Sequence, residues 1–355
     1  MTGAATEVVW LDDPVAADER CTGPKMASLA RLRSWGFLVP EGCTVPVAAF
    51  ERFLGTNGLD RRIEAVLEGC DPDDEGRVAA CADRVTALLD AAPTPAGLRR
   101  HLVAVHDELC GRLGDVNPQL AVRSSAVAED GAAASFAGQF LTELGVCGAD
   151  ELVASVRRCW ASLFSPRALA YRLRAGVELA DCPMAVGIVR LVHPRAAGVA
   201  FSRHPVTGTA DRLVIEATFG LGEALVSGLV TPDKVEVDSE DGRILDYRVA
   251  TKEVASSFAP WEGRVVEHAM PPSLRDRRVL DEGQVAAIAA GVAAIEIELG
   301  RPADVEWVID TRTAADEITW VQARPQTVGS VEPPERPSFL GTVLSTAFGV
   351  TKGTA

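Results

Sequence analysis

The feature of this sequence that most constrains its fold is a change in the spacing of apolar residues between the first and second halves. Residues 60–113 are rich in Ala, Leu, Arg and Glu with helical spacing, broken by proline at 72 and within 92–95. After residues 182–183 the sequence changes to short β-rich runs bounded by turn residues. The pattern predicts an α+β fold with a helix-rich N-terminal lobe and a mixed α/β C-terminal lobe.

The same spacing rules place the other elements. Helices are predicted over 26–35, 45–54, 149–163, 166–176 and 280–299, and strands over 119–123, 184–192, 198–202, 213–217, 234–237, 244–249, 304–309 and 318–322. The polar loop 310–317 joins the last two strands into a predicted hairpin. The Pro/Glu-rich stretch 329–337 has the composition of a linker. A length of 355 residues suits two domains or one two-lobed domain.

Charge disfavours some classes of partner. The chain has 35 Lys and Arg against 50 Asp and Glu, which gives a formal net charge of −15. Such an acidic chain disfavours non-specific binding to nucleic acid or to an anionic membrane, but it leaves room for a local basic site for a small phosphate ligand. Only four basic residues are lysines, namely Lys25, Lys234, Lys252 and Lys352.

We expect a cytoplasmic protein. The first thirteen residues lack the basic and apolar regions of a signal peptide, and no apolar run approaches the ~20 residues of a membrane span. The eight cysteines are scattered without a CxxC pair, which favours reduced thiols over a disulfide framework or a metal site.

Two N-terminal segments have residue types that suit phosphate. Residues 21–25, CTGPK, combine a glycine turn, a predicted helix start and Lys25, so that backbone N–H groups and a cation can face an anion. A buried strand delivers Arg123 to a small-residue loop, 124–138, where the guanidinium can bind phosphate oxygens in a bidentate manner. A surface lysine at a helix start and an exposed Ala/Ser loop would give the same sequence, so both interpretations stay open.

Two C-terminal features carry further candidates. Glycine-rich turns over 198–208 and 219–224 either punctuate strands or place Glu223 beside a ligand. In the predicted hairpin Asp304 and Glu306 share one face, and so do Gln322 and Arg324, because alternate strand residues point the same way. Carboxylate and amide oxygens suit Mg²⁺ and an arginine suits phosphate, although a solvated charged face would have the same pattern.

The five histidines do not suggest a hydrolytic triad, because none is expected to pair with a Ser or Cys nucleophile. His101 and His106 are five residues apart in a predicted helix, which is poor ligand geometry. His204, in a turn after a predicted strand, is the histidine that lies near a candidate segment.

Taken in order, these segments resemble the ATP-binding, ATP-grasp-like domain of the phosphoenolpyruvate synthase and pyruvate phosphate dikinase family, which rifamycin phosphotransferases also carry. The motifs that support the resemblance are GPKMASL, VPEGC, VRSSAVAED, SFAGQ, FSRHPVTG, GLGEALVSGLVTPD, VEW and QARP. They occur in the family's order between residues 23 and 327. Each is weak alone, but the set in register is specific.

The resemblance implies a role for each matching residue. Lys25, Arg123 and Arg324 match residues that bind ATP phosphates. Glu306 and Gln322 match Mg²⁺ ligands, with Asp304 as an outer-sphere helper. The other implied nucleotide contacts are Ser135, Ala137, Gly138 and Gln139 in the loop over the phosphates, Glu223 in the nucleotide cleft, and Val189 on the strand against which adenine would lie.

This sequence departs from the family pattern at three positions. Pro24 replaces the second glycine of GGK, Val189 replaces a glutamine of the adenine strand, and His204 replaces an Asp or Asn. None of the three removes a phosphate-binding or metal-binding residue, so we expect ATP binding to be retained.

The resemblance further implies an ATP-grasp domain of two lobes, 1–182 and 183–328, with the nucleotide between them. Residues 329–355 would be a linker and the possible start of a phosphohistidine swivelling domain. The implied reaction is Mg²⁺-dependent cleavage of ATP to AMP, with the β-phosphoryl passed to a histidine on that domain, in cis or in trans. The phosphohistidine would then pass the phosphoryl group to a small-molecule acceptor such as pyruvate or an antibiotic. A self-contained small-molecule kinase and a non-catalytic nucleotide-binding module are the alternatives.

Overall fold

Two antiparallel sheets organise the chain in a computed structural model. It describes residues 7–127, 130–131, 134–135, 140–178, 182–222, 225, 228, 230–312 and 317–326. The described residues fall into two units, the first made of those up to 31 and from 41 to 191, and the second of 32–40 and those from 192 onward.

The first unit contains a five-stranded sheet with the strand order β1-β2-β7-β3-β6, in which every pairing is antiparallel. Its strands are β1 (Val9–Trp10), β2 (Gly42–Val45), β3 (Leu120–Ala126), β6 (Thr142–Val146) and β7 (Met184–Arg190). A short two-stranded ladder is formed by β4 (Asp130–Gly131) and β5 (Ala134–Ser135).

Helices supply most of the first unit's core. They are α1 (Glu19–Ser34), whose last three residues belong to the second unit, α2 (Val47–Thr56), α3 (Leu59–Leu67), α4 (Glu75–Ala91), α5 (Ala96–Leu113), α6 (Ala149–Ala161) and α7 (Pro166–Ala175), with 3-10 turns at Pro14–Ala17 and Ser162–Phe164. One sheet face, including Val122 and Ile188, packs into a core with buried aromatic side chains of the helices. There Trp160 stacks on Phe53 with 5.1 Å between ring centroids.

The second unit contains a six-stranded antiparallel sheet with the order β11-β10-β9-β8-β14-β15. Its strands are β8 (Pro194–Phe201), β9 (Arg212–Phe219), β10 (Asp233–Asp238), β11 (Ile244–Arg248), β14 (Ala303–Asp310) and β15 (Ile318–Pro325). The hairpin of β12 (Val254–Ala259) and β13 (Arg264–Ala269) precedes α8 (Pro272–Arg275) and α9 (Glu282–Leu299). Helix α9 begins with a capping box between Asp281 and Gln284.

The spacing rules predicted the long elements and missed the short polar ones. The predicted helices and strands all occur with shifted ends, and α1 begins at Glu19 instead of at 26. The elements that were not predicted are strands β1, β2, β4, β5, β6, β12 and β13 and helix α8, because they are short, contain glycine or are rich in polar residues. Strand β7 pairs with β2 and β3 and so lies in the first unit. The lobe limits 1–182 and 183–328 stay predictions.

A fully buried ion pair fixes one end of the second sheet. Lys252 donates to the Asp233 carboxylate at 2.5 Å, and both side chains have 0% exposure. The carboxylate also accepts from the backbone N–H groups of Ala250 and Val279, each at 2.9 Å, and from the Tyr247 hydroxyl at 3.2 Å. Burial, together with the nearby Asp233 charge, raises the pKa of Tyr247 to about 12. The pair therefore joins β10 to the segment after β11 and to the start of α9.

Among the described residues, no helix combines the length and the apolar composition needed to cross a bilayer.

We expect Lys252→Met to lower the free energy of unfolding by about 3–5 kcal/mol, because it leaves the Asp233 carboxylate buried without its cation. Urea unfolding monitored by circular dichroism measures this change. The double variant K252M/D233N should recover part of the loss, since it removes the second buried charge as well. The control is Lys234→Met, which removes a partly exposed lysine 3.0 Å from Glu236 and should cost about 1 kcal/mol or less. A loss for K252M as small as that of the control would contradict the expectation.

Candidate functional site

Lys25 lies in the first turn of a helix that restarts after a break. Helix α1 is interrupted at Gly23, whose φ of 71° and ψ of 163° are not helical, and Pro24 follows. A glycine before a proline is a favourable start, because the first helical position needs no N–H and the proline ring sets its φ. The predicted glycine turn leading into a helix N-terminus is therefore present, inside one longer helical segment.

Close packing against strand β3 explains why residue 23 is glycine. A Cβ at Gly23 would lie 2.1 Å from the backbone oxygen of Ser125 and 2.3 Å from its Oγ. The backbone N–H of Met26 donates to Ser125 Oγ at 3.3 Å. The Met26 side chain is fully buried, and its sulfur lies only 2.2 Å from the point where a Cβ at Gly187 would be. A side chain at position 187 would therefore clash with Met26. The start of the helix thus rests directly on β3 and β7.

Arg123 lies on the sheet face that carries these contacts. It precedes Ser125 by two residues on β3, so the two side chains point to the same side, whereas Val122 belongs to the helix-packed core on the opposite side. Arg123 is also the cross-strand partner of Gly187. The structure therefore brings Lys25 and Arg123, predicted from motifs about a hundred residues apart, to one face of the first sheet.

In the second unit, the β14–β15 hairpin pairs the predicted metal and phosphate residues directly. Asp304 lies opposite Arg324, and Glu306 lies opposite Gln322. The Arg324 Nε donates to Asp304 Oδ2 at 2.9 Å. Asp304 therefore orients Arg324, a contact that the sequence pattern did not show.

A β-bulge decides which face these residues occupy. The register shifts between Glu306 and Trp307, whose partners are Gln322 and Trp320, so Val321 is the extra residue. Trp320 packs against α9, where a Cβ on Gly291 would come within 2.2 Å of its ring. Because the bulge reverses the alternation, Gln322 faces away from α9 although Trp320 is two residues before it.

The residues of this hairpin fit a Mg²⁺ ion. Glu306 and Gln322 are cross-strand neighbours, which places their Cβ atoms about 5 Å apart, and their oxygens are the hard donors that Mg²⁺ prefers. Gln322 is largely buried, and Glu306 is partly exposed. In the part of the chain that the structure describes, no three His, Cys, Asp or Glu side chains converge.

The other predicted contacts have different outcomes. Ala137, Gly138, Gln139 and Glu223 lie outside the described residues, and Ser135 is described only as part of β5. Val189 is buried on β7 opposite Gly42 and Ala121.

The His204 side chain makes the hydrogen bonds of an Asx turn, although it stands where the family pattern has an Asp or Asn. Its Nδ1 accepts the backbone N–H groups of Val206 at 3.3 Å and Thr207 at 3.2 Å. An Asp or Asn side chain makes the same kind of contact with the residues that follow it. The substitution therefore preserves the turn.

Two histidines contact a Cys or Ser side chain, so the expectation that none would pair with such a side chain was wrong. His106 Nδ1 lies 3.8 Å from Cys110 Sγ on α5, and His268 Nε2 lies 2.9 Å from Ser257 Oγ on the β12–β13 hairpin. Both pairs lie outside the segments that carry the candidate site. Spacing of four residues on a helix was the available signal for the first pair. The second needed the hairpin register, which the sequence did not reveal.

Residues 19–338 match the family model described as pyruvate phosphate dikinase, AMP/ATP-binding domain. The chain is 36% identical over 320 residues to a probable phosphoenolpyruvate synthase of Methanothermobacter thermautotrophicus, which covers 90% of this chain and 46% of that protein. It is 34% identical over 353 residues to a probable phosphoenolpyruvate synthase of Archaeoglobus fulgidus, covering 98% and 46%.

A rifampicin phosphotransferase of Streptomyces is also similar, with 38% identity over 321 residues that cover 90% of this chain and 36% of that protein. The chain thus spans less than half the length of each of these three relatives.

We expect Gly23→Ala to be more destabilising than Gly36→Ala, because both positions have positive φ but only position 23 has atoms where the new Cβ would go. The backbone conformation of Gly23, with positive φ and a ψ of 163°, costs an alanine about 1–3 kcal/mol, and the clash with Ser125 should add about 1–3 kcal/mol that position 36 does not have. Urea unfolding of the two variants measures the difference. Equal losses would show that α1 can move away from β3 without cost.

Proposed function

Since the chain belongs to the family of pyruvate phosphate dikinase AMP/ATP-binding domains, we propose that it binds ATP with Mg²⁺ and begins a phosphoryl transfer to a histidine on a separate domain or partner. The observation that carries this proposal is the convergence of Lys25 and Arg123 on one face of the first sheet through the contacts of Gly23, Met26 and Ser125.

The two cations suit a polyphosphate. Phosphoryl transfer requires little covalent chemistry from the protein, so positioning of the phosphates and neutralisation of their charge supply most of the catalysis. Lys25 offers a movable point charge, and Arg123 offers a planar fork that matches two phosphate oxygens. In a chain with a net charge of −15, two basic side chains on one sheet face favour a small anion over an extended polyanion.

The hairpin of the second unit supplies the complementary groups. Glu306 and Gln322 would hold Mg²⁺, and Arg324, oriented by Asp304, would contact phosphate oxygens. When bound, Mg²⁺ neutralises phosphate charge and fixes the geometry of the transferred group. The protein's part is to hold the two oxygen donors on the same face of the sheet, which the Val321 bulge does.

The proposed products are AMP, a phosphohistidine that carries the β-phosphoryl group, and inorganic phosphate, since the γ-phosphoryl group must pass to water for the reaction to balance. The histidine would lie on a swivelling domain in cis or in trans, which then phosphorylates a small molecule such as pyruvate or an antibiotic. We place this reaction in the cytoplasm, with no nucleic acid or membrane partner.

Binding of ATP tests the residue assignments. We expect Lys25→Ala, Arg123→Ala and Glu306→Gln each to weaken Mg·ATP binding at least tenfold, about 1.4 kcal/mol, in isothermal titration calorimetry. Glu306→Gln should bind ATP as tightly as the unmodified protein in EDTA, because its effect requires the metal. Lys234→Ala is the matched control, since it removes a lysine outside this set. Unchanged affinity in all three site variants would favour a non-catalytic module with a different binding mode.

The identity of the products tests the reaction. We expect AMP, and labelled phosphate on protein, when the chain, Mg·ATP and the phosphohistidine domain of a relative are combined and resolved by chromatography. Little turnover should occur without that domain. Release of ADP together with phosphorylation of a small molecule in the absence of any histidine domain would instead establish the self-contained kinase.

A further inference from the structure

We propose that Ser125 is a positioning residue that caps, from a distant strand, the helix turn carrying Lys25. The inference rests on the proposed function of Lys25 in ATP binding. It adds to that function a residue to which the family resemblance gave no role.

The start of this helix lacks its own cap. A helix normally satisfies an early N–H with a side-chain oxygen from the N-cap residue, typically Ser, Thr, Asp or Asn, which accepts from the third helical residue. Here the N-cap is Gly23, which has no side chain, and Met26 is the third residue after it. Ser125 Oγ accepts the Met26 N–H at 3.3 Å, across a sequence separation of 99 residues.

The surroundings hold this contact in place. Ser125 and Met26 are both fully buried. Gly23 lies so close to the Ser125 backbone that a side chain would not fit, and the Met26 sulfur fills the space left by Gly187. The Met26 N–H therefore depends on an acceptor in a site without room for a large rearrangement.

The same contact links the two proposed phosphate cations. Ser125 follows Arg123 by two residues on β3. The cross-strand partner of Arg123 is Gly187, against which the Met26 side chain packs. Lys25 is joined to Met26 by a peptide bond. The hydroxyl of Ser125 thus fixes the backbone of Lys25 relative to the strand that carries Arg123, and so sets the spacing of the two cations.

The neighbouring serine provides a matched control. Ser124 is as fully buried as Ser125, but it points to the opposite face of β3, and its hydroxyl has no hydrogen-bond partner in the described part of the chain. Replacing either serine by alanine removes one buried oxygen from the same strand. Only the replacement at 125 removes the acceptor of the Met26 N–H.

The experiment is a double-mutant cycle on the full chain with Mg·ATP affinity as the readout. We expect Ser125→Ala to weaken binding about fivefold, which is the affinity equivalent of the ~1 kcal/mol of stability that a lost helix cap typically costs, and Ser124→Ala to change it less than twofold. In the Lys25→Ala background the additional effect of Ser125→Ala should disappear, because Ser125 acts through Lys25. An undiminished effect in that background, or normal ATP affinity in the single Ser125→Ala variant, would overturn the proposal.

A second readout separates this proposal from the proposed function. Amide hydrogen exchange without nucleotide should be faster at Met26 in Ser125→Ala than in Ser124→Ala, at a temperature where circular dichroism shows both variants folded. Unchanged exchange at Met26 would overturn the capping role whatever the ATP result. If Met26 exchange accelerates but Lys25→Ala binds ATP normally, the cap exists, but the proposed role of Lys25 and with it the positioning role of Ser125 are wrong.

Discussion

The close approach of helix α1 to the first sheet is the contact on which the candidate phosphate site depends. Two glycines make it possible. Gly23 brings the chain against Ser125, and Gly187 leaves room for the buried Met26 side chain. Since a packed interior has few voids, a methyl group at either position would push the helix away from the strands. The position of Lys25 relative to Arg123 therefore depends on the lack of a side chain at Gly23 and Gly187.

The second unit orders its polar residues through strand register instead of helix packing. Charged groups and oxygen donors lie on one face of the hairpin because Asp304 pairs directly with Arg324, and Glu306 with Gln322. The Val321 bulge allows Trp320 to be buried against α9 while Gln322 faces the other way. A bulge that redirects side chains is a common device next to functional residues. Both units thus present polar groups from the sheet face opposite their helix-packed cores.

Much of the candidate site could be predicted because its residues stand in motifs with a local physical meaning. A glycine before a helix start, an arginine at the end of a buried strand and alternating polar residues on a hairpin are visible in one dimension. The capping contact of Ser125 was not predicted, because nothing adjacent to it in the sequence shows that its partner is the backbone of Met26. The same holds for Asp233 and Lys252, whose ion pair is buried between segments 19 residues apart.

The sequence by itself determined the helix-rich and strand-rich halves, the acidic charge and the identity of Lys25, Arg123, Glu306, Gln322 and Arg324 as candidates, since periodicity, composition and motif order are properties of the linear chain. Only the tertiary structure decided that Lys25 and Arg123 lie at one face of the first sheet and that Glu306 lies directly opposite Gln322. It also decided that strand β7 joins the first sheet, that Asp304 orients Arg324 and that Ser125 supplies the cap missing at Gly23. These outcomes depend on register and close packing between segments distant in sequence, and neither is encoded in any one of those segments alone.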